Sequence, residues 1–131
     1  MIPVVFINCR RYPFIGLIRL QLKLYETRTR NTLAALVGQR VILAETGRGR
    51  PLAGCMATIG APIVARSRSV WESLRRSACI DAGSSYDWQQ DTKVKYLYPL
   101  LDVQPIMSFR VPEGPRHGRV WMEYTPIARG A

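Results

Sequence analysis

Sorted into hydrophobic and polar positions, the chain breaks into short runs with two periods. The opening "MIPVVFIN" is continuously apolar over about residues 3–8 and predicts a buried strand. In "RRYPFIGLIRLQL", residues Phe14, Ile15, Leu17, Ile18 and Leu22 recur at helical spacings, which predicts an amphipathic helix over about 12–21 with Pro13 in its first turn. The next stretch, "QLKLYETRTRN", alternates residue by residue as a strand does, but with an unusual parity: Leu20, Leu22 and Leu24 share a side with Glu26, Arg28 and Arg30. Side chains alternate across a strand, so the three charged residues project together, towards a groove, while Tyr25, Thr27 and Thr29 point the other way.

The rest of the chain continues the strand-rich pattern. "NTLAALVG" predicts a short helix capped by Asn31 and ended by Gly38. "RVILAET" is a strand, "GRGRP" a turn, and "LAGCMATIGAPIVA" one long or bent strand with its bend at Gly60-Ala61-Pro62. "SVWESLRRSAC" predicts a helix over about 69–79, with Ser69 and Glu72 as a capping box and Val70, Trp71, Leu74 and Cys79 on one side. After the loop "GSSYDWQQDT" come three extended runs, "KVKYLYPLLDV", "QPIMSFRV" and, beyond the turn "PEGPRHG", "RVWMEY". Strands outnumber helices and short turns separate them, so the expected class is α+β: a small, mostly antiparallel β-barrel with peripheral helices.

A length of 131 residues suits a single domain spanning 1–131, with 125–131 as a loose tail. The apolar opening lacks a basic leader and is cut short by "CRRYP", so neither a signal peptide nor a membrane span is expected. Three widely spaced cysteines, Cys9, Cys55 and Cys79, and one histidine encode no disulfide framework and no metal site. The thiols read as buried and structural, the expected compartment is the reducing cytoplasm, and no cofactor or metal is implied.

Charge sharpens the functional expectation. The net charge is +10, and residues 1–50 carry nine Lys/Arg against only Glu26 and Glu45. Residues 51–80 add four Arg against Glu72, whereas 81–131 balance to zero. An excess confined to one part of the chain can fold into one positive surface, the footprint of a phosphate-backbone binder. Sixteen of the nineteen cations are arginine, a bias that a GC-rich genome would also produce.

With these elements in place, the chain resembles the ASCH family of the PUA-like superfamily over about 3–124. The resemblance rests on Lys23, Glu26 and Arg28 in "KLYETR", Gly38 with "RVILA", the run "YLYPLLDVQPI", and "HGRVWMEY" with Trp121. It implies a PUA-like barrel of five or six strands, a cleft beside the K-x-x-E-x-R strand, and an association with RNA or other nucleic acid. The family begins its motif with glycine, where this chain has Gln21. Members that resemble amidohydrolases carry threonine three residues after the lysine, where this chain has Glu26.

The candidate binding residues are Lys23, Glu26, Arg28, Arg30, Arg48, Arg50 and Tyr86. Residues two apart on a strand lie about 7 Å from Cα to Cα, so Glu26 can hold the Arg28 guanidinium and leave its free donors to a phosphate or base edge. The competing reading is an ion pair that seals one end of the barrel. By itself Lys23 reads as a solvated surface lysine, and the resemblance places it in the cleft. Arg48 and Arg50 lie on a glycine-rich turn able to follow a phosphate backbone. Tyr86 and Trp88 could stack on unpaired bases, worth about 1–3 kcal/mol per base, or pin their loop to the barrel. Tyr96, Tyr98 and Trp121 read as core. His117 lies in a turn without a partner for general-base work. The expected function is binding of RNA, single-stranded foremost, by a module without catalysis. The alternative is a small hydrolase of RNA or a modified nucleoside, of ribonuclease or amidohydrolase type, with Lys23 and Glu26 as its polar pair.

Overall fold

The computed structural model describes residues 1–47, 49–112 and 120–125. In chain order, these form β1 (Ile2–Asn8), α1 (Phe14–Arg19), β2 (Tyr25–Arg28), β3 (Arg40–Thr46), β4 (Leu52–Ile59), β5 (Ile63–Ala65), α2 (Arg68–Arg75), β6 (Lys95–Arg110) and β7 (Trp121–Tyr124). The strands make one curled sheet in the order β2-β6-β4-β3-β1-β7, with β5 paired to β6. Neighbours are antiparallel except β1 and β3, which run parallel from Val4↔Ile42 to Asn8↔Thr46. This is the α+β, PUA-like barrel that the sequence predicted, in a half-open form with two short helices.

Both faces of the central strands are covered, and this explains why their sequences are continuously apolar rather than alternating. Val5, Ile7, Val41 and Leu43 face the main core, which Phe14, Ile15 and Ile18 of α1 and Trp71 of α2 complete. Val4, Phe6, Ile42 and Ala44 face a second, smaller core with Ala53 and Val111. Over that face the far end of β6 meets β7, with the Phe109 and Tyr124 rings stacked at 5.5 Å. Full burial of a side chain such as Ile18 is worth about 1.5–3 kcal/mol. Helix α1 lies flush on β4 at Gly54, where a β-carbon would come within 2.5 Å of Ile15 Cγ2.

The two runs expected over 93–111 form one strand, β6, of 16 residues. Its first half is flanked by β2, at Tyr25↔Pro99, and by β5, at Ile63↔Leu97. Its second half runs along β4, where the register slips twice. Asp102, at φ 48, marks the bend. Arg40 Nη1 donates to the Asp102 carbonyl at 2.6 Å and holds the bulge in place.

Several local expectations need correction. Helix α1 is shorter than predicted, and Leu22, assigned to its apolar stripe, is 58% exposed. Helix α2 is capped by Ser67, whose Oγ accepts from Val70 N at 3.3 Å, rather than by Ser69; Glu72 pairs instead with Arg75 at 3.1 Å. Asn31 caps no α-helix. It accepts the Tyr98 hydroxyl proton, ahead of a single 3-10 turn at Ala34–Leu36. Arg48, the turn containing His117 and the tail over 126–131 lie outside the described residues.

The alternation that began at Leu20 also breaks. Leu20, Leu22 and Leu24 are exposed and precede the strand. Gln21 N donates to Ile18 O at 2.9 Å and Leu22 N to Leu17 O at 2.9 Å, the paired bonds of a Schellman turn. Gln21 sits at its left-handed position, with φ 58, which glycine would enter without strain. The resembling family's motif begins with glycine at this position, and here a glutamine adopts the left-handed conformation of the turn. We expect Gln21→Val to destabilise the protein by about 1–2 kcal/mol, because a β-branched residue is strongly disfavoured at positive φ. Gln21→Gly should stay within about 1 kcal/mol of the parent. Urea unfolding midpoints check the pair; equal midpoints for Val and Gly would show that the turn opens at no cost.

Candidate nucleic-acid interface

The Schellman turn reverses the chain after α1 and sends Lys23 into the barrel before β2 begins. Its side chain is 1% exposed, the ammonium donates to the Ala78 carbonyl at 2.6 Å, and it stands 4.4 Å from the Phe14 ring centroid. The ring comes from α1 and the carbonyl from the 3-10 turn Arg76–Ala78 that follows α2. Burial pushes the Lys23 pKa below its ordinary 10.5; Glu26 opposes this in part, and Arg28 adds to it.

Glu26 and Arg28 follow on β2. Glu26 is 6% exposed; its Oε1 accepts from Thr27 N at 2.9 Å, and its Oε2 lies 3.5 Å from Arg28 Nη2. The same Nη2 donates to the Phe6 carbonyl on β1 at 3.0 Å. Among the described residues these contacts fall on Nη2, which leaves Nε and Nη1 without a hydrogen-bond partner.

Lys23, Glu26 and Arg28 thus line one cavity of about 370 Å³ between β1 and β2, walled also by Asn8, Thr46 and Tyr86. The Tyr86 ring meets Phe14 edge-on at 5.4 Å and Tyr12 at 5.8 Å. Two buried charges fix the loop that carries Tyr86. Lys95 donates to the Tyr86 carbonyl at 2.8 Å, with its ammonium 5.0 Å from the Trp71 ring. Asp87 accepts from Trp71 Nε1 at 2.7 Å, Gly83 N at 2.8 Å and Trp88 N at 2.7 Å. Burial by itself would raise the Asp87 pKa, but these hydrogen bonds outweigh it and hold the carboxyl below its usual 3.8.

No family model matches the sequence, and no curated protein matches it at a significant level. Solved structures do. The crystal structure of ASCH from Zymomonas mobilis superposes with a TM-score of 0.68 at 22% identity, over 83% of this chain and 73% of that one. A serine-to-alanine variant of that protein matches at 0.68 and 23% identity, over 82% of this chain and 72% of its own. A tyrosine-to-phenylalanine variant matches at 0.68 and 22%, over 83% and 75%. The chain has an ASCH fold.

Within the ASCH fold the candidate residues separate. Lys23, Glu26, Arg28 and Tyr86 converge on the cavity. Arg30 stands on the wall of an adjoining groove of about 590 Å³. Arg50 is exposed and not on the cavity wall; its carbonyl accepts from Arg110 Nη1 at 2.7 Å. Trp88 packs against the main core, as do Tyr96 and Trp121, and Tyr98 is fully buried. Cys9 and Cys55 are buried, and burial pushes the Cys55 thiol up to about 11; Cys79 is half-buried. Among the described residues no group of three or more His, Cys, Asp or Glu could hold a metal ion, and no helix is long and apolar enough to cross a membrane.

Sequence reasoning missed Asn8, Thr46 and Lys95, which come from three other strands or strand ends. A buried lysine with a lowered pKa costs the fold stability while it is charged in the native state, and that cost fades as the pH approaches its unfolded pKa of about 10.5. Stability from this group therefore rises with pH, because the unfolded chain holds the proton longer. We expect the stability of the parent relative to Lys23→Met to increase between pH 7 and 10, measured by urea unfolding at each pH. A difference independent of pH would place the Lys23 pKa at its ordinary value.

Proposed function

We propose that the cleft between β1 and β2 binds single-stranded RNA, with one nucleotide seated in the cavity. The observation that carries this reading is the convergence of Lys23, Glu26 and Arg28 in one cavity of about 370 Å³, each already held by a protein hydrogen bond. That volume lies within the range of small-ligand sites, and fixed polar groups orient a ligand without first having to be ordered. The free Arg28 donors suit a phosphate or a base carbonyl, the Glu26 carboxylate suits an exocyclic amine, and the Tyr86 ring offers an aromatic wall. The net charge of +10 adds long-range attraction for a polyanion.

A hydrolytic reading, on RNA or a modified nucleoside, is favoured by one observation: burial lowers the Lys23 pKa, so more of the amine is neutral near pH 7 than in a free lysine. Analysis of RNA and nucleoside after prolonged incubation separates the two readings. Turnover that Lys23→Met abolishes supports the enzyme, and an intact ligand supports the binding module.

Affinity should fall steeply with salt, because phosphate contacts release counterions. Glu26→Gln fills the same space but holds Arg28 less firmly, and Arg28→Lys keeps the charge but loses the planar fork. We expect each to weaken RNA binding by about 1–3 kcal/mol. Fluorescence anisotropy with a labelled RNA at two ionic strengths, together with melting temperatures, provides the check. Variants that melt lower yet bind like the parent would assign the ion pair to the barrel alone.

A further inference from the structure

We propose that the groove beside the cavity is a second subsite, which holds the sugar-phosphate of the neighbouring nucleotide on the same strand, so that the ligand is an oligonucleotide rather than a free nucleotide. The inference rests on the RNA reading above. Its first support is continuity: Thr29, Ser85 and Lys95 line both the cavity and the groove. The second is the bend of the chain just after β2. Arg28, the last residue of β2, stands on the cavity wall, and Arg30, two residues on in the bend, stands on the groove wall.

The chemistry of the groove favours backbone over base. Two exposed cations, Arg30 and Lys93, stand on its wall, and neither makes an ion pair among the described residues. The Lys95 ammonium is engaged by the Tyr86 carbonyl, and Asp91 is the one carboxylate on the wall. The other lining residues, Thr29, Ser85, Gln89 and Thr92, carry hydroxyl or amide groups; among the described residues Val94 is the single aliphatic one, and no aromatic ring stands on this wall to stack on a base.

The groove is also preformed. Thr92 Oγ1 accepts from Gln89 N at 2.8 Å, and Gln89 Nε2 donates to the Ser84 and Asp87 carbonyls at 3.1 Å each. A strand leaving the cavity therefore meets a shaped, positively charged surface that needs no loop ordering.

The experiment compares a labelled octanucleotide RNA of randomised sequence with a mixture of the four nucleoside 5′-monophosphates, on the parent and on the Arg30→Ala/Lys93→Ala double variant. Both substituted side chains are exposed, and melting temperatures verify that the fold is intact. The parent should bind the octanucleotide at least about tenfold more tightly than the mononucleotides, because the second contact is made within one ligand. The double variant should lose most of that increment and shift the log-log salt slope by about two, while mononucleotide affinity falls by much less. Equal octanucleotide affinity in parent and variant, or displacement of the RNA by an acidic peptide of equal length and charge, would overturn the second subsite while leaving the nucleotide cavity standing. If the parent binds neither ligand, the cavity reading falls with it.

Discussion

Everything at the site depends on a seam that the sheet leaves unpaired. Strand β1 is hydrogen-bonded to β3 along one edge and to β7 over Ile2–Val5 on the other, and β2 to β6, but the end of β1 from Phe6 to Asn8 meets β2 without a ladder. Pairing that end with β2 would fill the space between them with main chain. Leaving them apart creates a cavity, but it also exposes strand edges whose carbonyls need partners. One guanidinium spans the gap, from Glu26 on its own strand to the Phe6 carbonyl opposite. Removing it would orphan a half-buried acceptor at a cost of about 1–3 kcal/mol. One guanidinium thus ties the seam through Nη2 and, in the reading proposed above, offers its Nε and Nη1 to a ligand.

A similar economy governs the interior. Lys23 and Lys95 each spend the ammonium on a loop carbonyl and on the face of an aromatic ring, and Asp87 collects three donors from its own loop and from α2. Buried charges of this kind are costly unless every one is met. Here they fasten the irregular segments that frame the cavity, where a hydrophobic side chain would leave a carbonyl unpaired.

What the sequence could show was local, and what it hid was distant. The period of two in "YETR" places Glu26 and Arg28 on one face with no knowledge of the rest of the chain. The apolar runs of β1 and β3 announce full burial in the same way. The burial of Lys23 was not legible, because its partner carbonyl at Ala78 lies 55 residues away. In "KVKYLY" nothing says which lysine turns inward, and only the packing of Trp71 and Tyr86 decides for Lys95. The sequence reading put the cap of α2 at Ser69, whereas the backbone places it two residues earlier, at Ser67. The leucine parity misled for a physical reason: it was counted through a Schellman turn that lacks the glycine by which such turns are recognised, so the direction of the chain reversed unseen.

Strand β6 serves as the common partner of β2, β4 and β5. None of those three can complete its pairing until residues 95–110 exist. During synthesis the first two-thirds of the chain must wait with half-made edges, and folding is then governed by contacts far apart in sequence, the regime in which acquisition of the native state is slow. A nascent chain halted before β6 would present unpaired, apolar strands to its surroundings, which makes this interval the one in which the protein is most exposed to aggregation and most in need of chaperone cover.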